Sequence, residues 1–327
     1  GHSPREAFMV KNPVSINAPV ISRRTTAKAL AGLAAGLGIY QYKSSHAIGP
    51  GNTSMQVDTP TPGVRKAYAD STFGQIHYRY AGDKTSTEVP LMCLHASPLS
   101  GIVFDQWLAE ISKDRFAIAP DTPGYGGSDT PVEPPLIGDL ADAMIGFMDS
   151  IGLQTVDVMG YHTGSFTSAD LAMRYPDRIR KVVMISAPIF DQSIIDEYSG
   201  RIYDPPPKFA DVLASTAESI RENGRGMFRD MTDERYEDVS IERLRHFRTG
   251  NWGFRAAFAY DLTAALPEIN HPILVLNPED DLWEQTSSAK PFIKNGRIHD
   301  LPGWTHGHLD AYTEEMAEIV RAFLAEQ

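Results

Sequence analysis

The chain has 327 residues, of which 42% are hydrophobic, and its formal net charge is −12. This length is enough for one large domain or two small ones. The acidic balance argues against nucleic acid and anionic membrane surfaces as partners, and no apolar run is long enough to span a bilayer. The single cysteine, Cys93, excludes an internal disulfide and is expected in the core.

The first 47 residues are typical of an export signal rather than of a folded segment. The pair Arg23-Arg24 precedes an apolar stretch at residues 29–40, and Ser45 and Ala47 place small side chains where a signal peptidase reads. This layout predicts a twin-arginine signal peptide over residues 1–47. It also predicts a protein that acts in the periplasm or outside the cell.

Three further details belong to the N-terminal region. Thr26 and Ala27 stand where a bulky apolar pair is commoner in twin-arginine signals, so a chance basic segment before a frayed helix is the alternative. Residues 1–8 precede Met9 and are interpreted as a cloning remnant. Residues 48–63 are rich in Pro, Gly, Ser and Thr and are expected to form a linker.

After the linker, strand-like and helix-like segments alternate. Periodicity predicts strands over residues 64–73, 75–82, 90–96, 115–121, 155–160, 181–188, 272–278 and 297–303. It predicts helices over residues 102–113, 137–152, 166–176, 257–269 and 311–326. Such alternation predicts the α/β class, with a mostly parallel sheet and helices on both of its faces.

Residues 189–255 interrupt the alternation. They contain charged helical stretches and several aromatic residues, but no strong strand pattern. A helical insert late in a parallel sheet commonly lies over the carboxyl ends of the strands, where ligands bind. The sequence therefore predicts an α/β core over residues 64–188 and 256–327, with a helical cap over residues 189–255.

Two loops at predicted strand ends carry polar residues of interest. In the loop at residues 94–101, the backbone N–H of Ser97 or Ala96 can face a developing oxyanion. His95 in the same loop is interpreted as a histidine that ties loops together, and it is also a candidate for substrate contact. The glycine-rich turn at residues 120–129 is interpreted as architecture.

The sequence Gly160-Tyr161-His162-Thr163-Gly164 predicts a sharp strand-to-helix turn. Such a turn holds its central residue in a strained, exposed conformation, and bulky neighbours two residues away would clash with it. The N–H of Thr163 would then face the same position as the loop that contains Ser97.

Acidic and histidine candidates follow later strands. Asp281 comes directly after the strand at residues 272–278, and His306 follows the last strand. An acid and a histidine at these two positions can form a pair, because a carboxylate fixes the tautomer of an imidazole. Asp280 and Asp191 are alternative acids, and His308 is the alternative histidine.

These motifs together resemble the α/β-hydrolase superfamily over about residues 64–326. The resemblance implies that His306 is a general base, that Asp281 orients it, and that Ser97 and Thr163 supply the oxyanion hole. The chain departs from the family pattern at the nucleophile, where His162 replaces a serine, or sometimes Asp or Cys. Ser165 is an unsuitable replacement, because it belongs to the predicted helix and not to the apex of the turn.

The predicted function is hydrolysis of an ester, a lactone or a similar carbonyl compound, with His162 as the nucleophile or as a base. A neutral imidazole can do either without prior deprotonation. A lyase or isomerase step driven by acid–base chemistry is a second possible function, and ligand binding without catalysis is a third.

We expect a small-molecule substrate, no organic cofactor and no metal. Convergence of His95, His162, His306 and His308 on zinc is the metal hypothesis, but their spacing matches no metal motif. Candidates for contact with the substrate, besides His95, are Tyr161, Trp252, Phe254 and Trp304. The oligomeric state is not indicated by the sequence.

Overall fold

The computed structural model describes residues 61–202 and 208–327, so the predicted export signal and most of the predicted linker lie outside the described residues. The strands are β1 (Arg65–Ser71), β2 (Gly74–Ala81), β3 (Leu91–Leu94), β4 (Ala117–Pro120), β5 (Val156–Tyr161), β6 (Ile179–Ile185), β7 (Ile273–Pro278) and β8 (Gly296–Leu301). They form one sheet in the order β1-β2-β4-β3-β5-β6-β7-β8. Strand β2 is antiparallel to both neighbours, and the pairs from β4 to β8 are parallel.

Helices cover both faces of this sheet. They are α1 (Asp105–Ile111), α2 (Ile137–Ser150), α3 (Thr163–Arg174), α4 (Gln192–Ile202), α5 (Phe209–Asn223), α6 (Asp233–Arg245), α7 (Gly250–Phe258), α8 (Leu262–Ala265), α9 (Trp283–Ser287), α10 (His308–Ala311) and α11 (Thr313–Ala325). Side chains of α2 and α3 enter one hydrophobic core, and side chains of α1 and α11 enter the other. The predicted fold class, a mostly parallel sheet between two helical layers, is confirmed. Within the described residues, no helix is both long enough and apolar enough to cross a bilayer.

The central strands have no exposed face. Every residue of β3, β4, β5 and β7 is buried, which explains why these strands read as continuous apolar runs rather than as alternating ones. Cys93 lies on β3 and is fully buried, as the apolar run around it predicts. Only the edge strands β1 and β8 expose much of their side-chain surface.

Helices α4 to α7 lie in the segment predicted as a cap. Helix α7 continues to Phe258, so the predicted boundary at residue 255 falls inside this helix. The Tyr125 hydroxyl joins the start of α7 to the core, since it donates to the carbonyl of Thr249 (3.0 Å) and accepts from the N–H of Gly253 (2.9 Å). These bonds fix one end of the cap against the glycine-rich turn.

The single helix predicted over residues 257–269 is wrong. Helix α7 ends at Phe258, and α8 begins at Leu262. Asp261 interrupts the helix, because its carboxylate accepts hydrogen bonds from the N–H of Ala264 (3.0 Å) and the hydroxyl of Thr263 (2.6 Å). An aspartate in this position caps a new helix rather than continuing the old one.

The junction between β5 and α3 brings the helix backbone against β3. A Cβ atom on Gly164 would lie 2.0 Å from the carbonyl oxygen of Leu94, and one on Gly160 would lie 2.3 Å from the backbone of Gly164. No side chain fits at either position. The glycines on both sides of His162 are therefore required by packing.

We predict that Gly164→Ala destabilises the protein by about 3 kcal/mol or prevents folding, because the new methyl group meets backbone that cannot move aside. Denaturant unfolding monitored by circular dichroism measures the loss. Gly146→Ala on α2 is the matched control, since its Cβ would meet nothing nearer than 3.4 Å. This control is expected to stay within about 1 kcal/mol of the parent. Equal stability of the two variants would contradict the packing argument.

Candidate active site

His162 occupies the apex of the turn between β5 and α3. Its backbone has φ 48° and ψ −108°, a conformation that few non-glycine residues adopt and that costs about 1–3 kcal/mol. Two backbone bonds hold it: its N–H donates to the carbonyl of Ile185 (2.9 Å), and its carbonyl accepts from the N–H of Ser165 (2.8 Å). The imidazole lines a cavity at the carboxyl end of the sheet.

Asp280 is the hydrogen-bond partner of His162. The Nε2 atom of His162 lies 2.9 Å from Oδ2 of the completely buried Asp280 side chain. Oδ1 of Asp280 accepts from the N–H of Leu282 at 2.8 Å, and the Ser186 hydroxyl donates to Oδ2 at 3.4 Å. Burial favours a higher pKa for Asp280, but the bond from His162 and the proximity of His162 and His306 outweigh it, so this pKa lies below its usual value.

The ionised carboxylate of Asp280 fixes the tautomer of His162. A carboxylate only accepts hydrogen bonds, so Nε2 carries the hydrogen and Nδ1 of the neutral ring keeps the lone pair. Among the residues that the structure describes, none bonds to this Nδ1 atom. His162 therefore presents an available basic nitrogen.

His306 forms a separate pair with Asp281. Its Nε2 donates to Oδ1 of Asp281 (2.8 Å), and its Nδ1 lies 2.8 Å from the Tyr161 hydroxyl. The bond from His306 holds the pKa of Asp281 below its usual value. Burial, with smaller contributions from Asp280 and Asp281, raises the pKa of Tyr161 well above its usual value, so its hydroxyl stays protonated and donates to Nδ1. Both nitrogens of His306 are thus engaged.

The two pairs lie side by side and do not form one continuous chain. The rings of His162 and His306 are 5.1 Å apart, with an angle of 71° between their planes. The contact expected between Asp281 and His306 is present, whereas His162 bonds to Asp280 and not to His306. Asp280, considered from the sequence as an alternative acid, is the one that supports the apex residue.

Asp191, His308 and Ser165 have structural partners and do not reach the apex of the turn. Asp191 is exposed, and its carboxylate accepts from the backbone at the start of α4. His308 is buried against Tyr161, and its Nδ1 donates to the carbonyl of Thr305 (2.6 Å). The Ser165 hydroxyl is buried and donates to backbone carbonyls, so it is unavailable as a nucleophile.

The expected oxyanion donors lie together. Thr163 is the first residue of α3, so its N–H has no acceptor within the helix. The N–H of Ser97 donates to the Thr163 hydroxyl at 3.4 Å, which is long for a hydrogen bond. A better acceptor can therefore take the place of this hydroxyl. Helix α7 packs on this loop, since a Cβ on Gly253 would lie 1.8 Å from the Ser97 hydroxyl.

The cavity beside His162 has a volume of about 650 Å³, within the range of small-molecule sites. Helices α3, α4 and α7 and the segment after β7 form its walls. Its lining consists of His162, Thr163, Phe166, Pro188, Phe190, Ile194, Glu197, Tyr198, Asn251, Phe254, Ala257, Phe258, Asp281, Leu282 and Gln285. A second cavity, of about 530 Å³, lies between α5, α6 and α7 and contains neither His162 nor Asp281 in its lining.

Of the five candidates for substrate contact, Phe254 lines the cavity beside His162. Tyr161 is nearly fully buried and its hydroxyl is used by His306. Trp252 instead packs over the glycine-rich turn, and Trp304 stacks on another aromatic ring at a centroid distance of 4.5 Å. Aromatic residues near a cap pack as readily as they bind, and the sequence does not distinguish the two roles.

His95 does not line the cavity either. It is buried, and its Nε2 accepts from the N–H of Thr122 (2.9 Å) while its Nδ1 donates to the carbonyl of Ala96 (3.1 Å). Burial lowers its pKa. His95 therefore ties neighbouring loops together, and its assignment as a substrate contact needs correction.

Most of the apolar residues that line the cavity were not predicted from the sequence. Phe166 has a recognisable signal, because it follows His162 by four residues and so lies on the same side of α3. Phe190, Phe258 and Leu282 carry no such signal. Their contact with the cavity depends on how the cap is placed over the sheet.

The four-histidine zinc hypothesis is wrong in its ligand set. His162, Asp280 and His306 each present a ligand-type atom, and these atoms lie within 4.8 Å of one another, but His95 and His308 are outside this group. Each of the three side chains already has a hydrogen-bond partner. The two imidazole–carboxylate pairs account for the arrangement.

The sheet order and the strand-to-helix turn are those of a hydrolase-type fold, and comparison with known proteins agrees on the fold. The pattern of the alpha/beta hydrolase fold family matches residues 89–238. A 2-hydroxymuconate semialdehyde hydrolase from Pseudomonas putida is 33% identical over 239 residues, covering 66% of this chain and 79% of that protein. One from Pseudomonas sp. (strain CF600) is 24% identical over 258 residues, covering 72% and 87%.

A solved structure shows the same fold. An enol-lactonase from Burkholderia xenovorans LB400 superposes with a TM-score of 0.67 at 21% identity, covering 80% of this chain and 100% of that chain. The chain belongs to the α/β-hydrolase family, and the relatives it resembles are hydrolases.

His308 generates a prediction about stability and pH. Burial lowers its pKa from 6.5 to about 4, although the bond to Thr305 and the nearby Asp280 act in the opposite direction. Between these values the unfolded chain takes up a proton that the folded chain does not, so stability falls as the pH falls. The difference corresponds to roughly 3 kcal/mol.

We therefore expect the free energy of unfolding to fall by roughly 3 kcal/mol more in the parent than in His308→Asn when the pH drops from about 7 to about 4. Urea titrations at several pH values measure it. Asparagine keeps a donor for the Thr305 carbonyl but does not titrate. Identical pH dependence in the two proteins would contradict burial of a neutral His308.

Proposed function

We propose that the protein hydrolyses an ester, a lactone or a similar carbonyl compound in the cavity beside His162, with Nδ1 of His162 as the general base. The observation that supports this most directly is the bond from His162 Nε2 to the buried Asp280. It gives the apex residue the tautomer and the carboxylate support that a catalytic base needs. The family relationship to hydrolases favours the same reaction type.

In the first step Nδ1 of His162 takes a proton from a water molecule, and the oxygen of that water forms a bond to the carbonyl carbon of the substrate. The imidazolium that results carries hydrogen on both nitrogens and is stabilised by the Asp280 carboxylate. The carbonyl oxygen becomes an oxyanion and faces the N–H groups of Thr163 and Ser97.

In the second step the carbon–oxygen bond to the leaving group breaks. The imidazolium of His162 returns its proton to the departing alkoxide, so the products are a carboxylic acid and an alcohol and the histidine is neutral again. One water is consumed for each bond cleaved. No other proton donor is required.

Attack of Nδ1 on the carbonyl carbon, to form an acyl-imidazole, is a second possible route. That intermediate needs a second base to activate water. His306 is the neighbouring histidine, but its Nδ1 accepts from Tyr161 and its Nε2 donates to Asp281. This engagement of both nitrogens favours the route in which His162 activates water directly.

Because Asp280 bonds to His162 and Asp281 bonds to His306, substitution of each aspartate tests which histidine is the base. We expect His162→Ala and Asp280→Asn each to lower kcat for a small chromogenic ester by at least about 100-fold, because they remove the base or its tautomer control. Asp281→Asn is the matched control and is expected to cost less than about tenfold, since Asp281 supports His306. Initial rates with para-nitrophenyl acetate, alongside thermal unfolding, measure these effects.

Three outcomes would contradict this proposal. A collapse in Asp281→Asn with little loss in Asp280→Asn would make His306 the base. An acyl adduct on His162 in mass spectra of quenched reactions would make His162 a nucleophile. Robust activity in His162→Ser with none in the parent would remove any catalytic role of the histidine.

We also propose that the full chain is exported through a twin-arginine signal, on the basis of Arg23-Arg24 and the apolar segment that follows. Replacing both arginines by lysine is expected to retain the protein in the cytoplasm of a bacterial host, because export receptors recognise the arginine pair. Cell fractionation and immunoblotting measure it. Arg5→Lys, the same change outside the pair, is the control, and loss of export in that control would contradict a signal role specific to Arg23-Arg24.

A further inference from the structure

We infer that the substrate of the His162 cavity is uncharged and carries an aromatic group, and that anionic substrates are excluded. This inference rests on the proposed function, in that it takes the cavity beside His162 as the substrate site. It is carried by two features of the cavity lining: its charges and its rings.

The charges of the lining are unfavourable for an anion. Asp281 lines the cavity, and Asp280 lies directly behind His162. The pKa values of both are lowered, so both are ionised at neutral pH. The described residues of the lining include no lysine or arginine. A substrate carboxylate would be desolvated next to like charges without a cationic partner.

The pairing of Asp280 and Asp281 does not remove this repulsion. Each carboxylate accepts from an imidazole nitrogen, a hydrogen bond that leaves the negative charge on the carboxylate. No Lys or Arg within the described residues forms an ion pair with either aspartate. The charge acts directly at the position where the carbonyl group must bind.

The aromatic part of the cavity lining suits a flat apolar group. Phe190 and Phe258 have ring centroids 4.8 Å apart, and Tyr198 stacks on Phe258 at 5.7 Å with nearly parallel planes. Phe166 on α3 and Phe254 on α7 complete the aromatic surface. Rings in these offset and stacked arrangements attract a further aromatic ring beyond simple area burial.

The carboxylates and the aromatic rings of the lining together favour one orientation of the bound substrate. The scissile carbonyl lies between His162 and the N–H of Thr163, and the aromatic group lies against the rings supplied by α4 and α7. The volume of about 650 Å³ holds a single-ring ester with its alcohol part.

A pair of matched ligands tests the inference without requiring turnover. Benzylacetone and hydrocinnamate share the phenylethyl group and the carbonyl carbon, and differ in that a methyl group replaces the charged oxygen. We expect the ketone to bind at least about tenfold more tightly than the carboxylate at neutral pH. Isothermal titration calorimetry with the full chain measures both affinities, and thermal stabilisation provides a second readout.

A cation placed in the lining tests the electrostatic part. Gln285→Arg puts a guanidinium into the wall that also contains Asp281, and is expected to bring the two affinities within about threefold. Gln285→Met, of similar size and without charge, is the control and is expected to keep the preference for the ketone. Phe258→Ala is expected to weaken both ligands, because it removes the ring between Phe190 and Tyr198.

Equal or tighter binding of hydrocinnamate by the parent overturns the inference, and so does the absence of measurable binding of benzylacetone at millimolar concentration. Tight ketone binding without hydrolysis of phenyl esters would leave this inference standing and would count against the proposed function. The two failures are therefore distinguishable.

Discussion

The site depends on the close approach of α3 to β3. Because Gly164 packs against the carbonyl of Leu94, the chain can leave β5 only through a tight turn, and His162 takes the positive φ of 48° that this turn demands. The backbone strain is balanced by the bonds of the surrounding strands and helix. This conformation directs the imidazole of His162 toward the segment after β7, where it bonds to Asp280.

That contact changes the chemistry of the apex. A serine in this position needs a separate base, whereas the imidazole of His162 is bonded to its own buried carboxylate, which is why we propose it as the base. The histidine that the resemblance assigns as general base, His306, is bonded at both nitrogens to Asp281 and Tyr161. A carboxylate–imidazole pair thus stands at the elbow in addition to the one beside it.

Those contacts of the site that follow from strand order could be predicted from the sequence. Parallel strands bring the loops after β3, β5, β7 and β8 to one edge, so the proximity of Ser97, His162, Asp281 and His306 could be predicted. The partner of His162 could not. Asp280 and Asp281 are adjacent and point to different histidines, and which one faces the apex depends on the conformation of this turn, in which Asp280 also accepts from the N–H of Leu282.

The cap could be recognised from composition, but its contacts could not, because they depend on tertiary placement. Trp252 packs on the glycine-rich turn, while its neighbour Phe254 reaches the cavity. Helix α7 also bears on the oxyanion loop, since Gly253 lies against the Ser97 hydroxyl and bonds to Tyr125. The same helix therefore supplies part of the aromatic lining and packs on the loop that contains Ser97. In the mechanism proposed above, a displacement of α7 would disturb substrate fit and oxyanion stabilisation together, because α7 contacts both the cavity and the Ser97 loop.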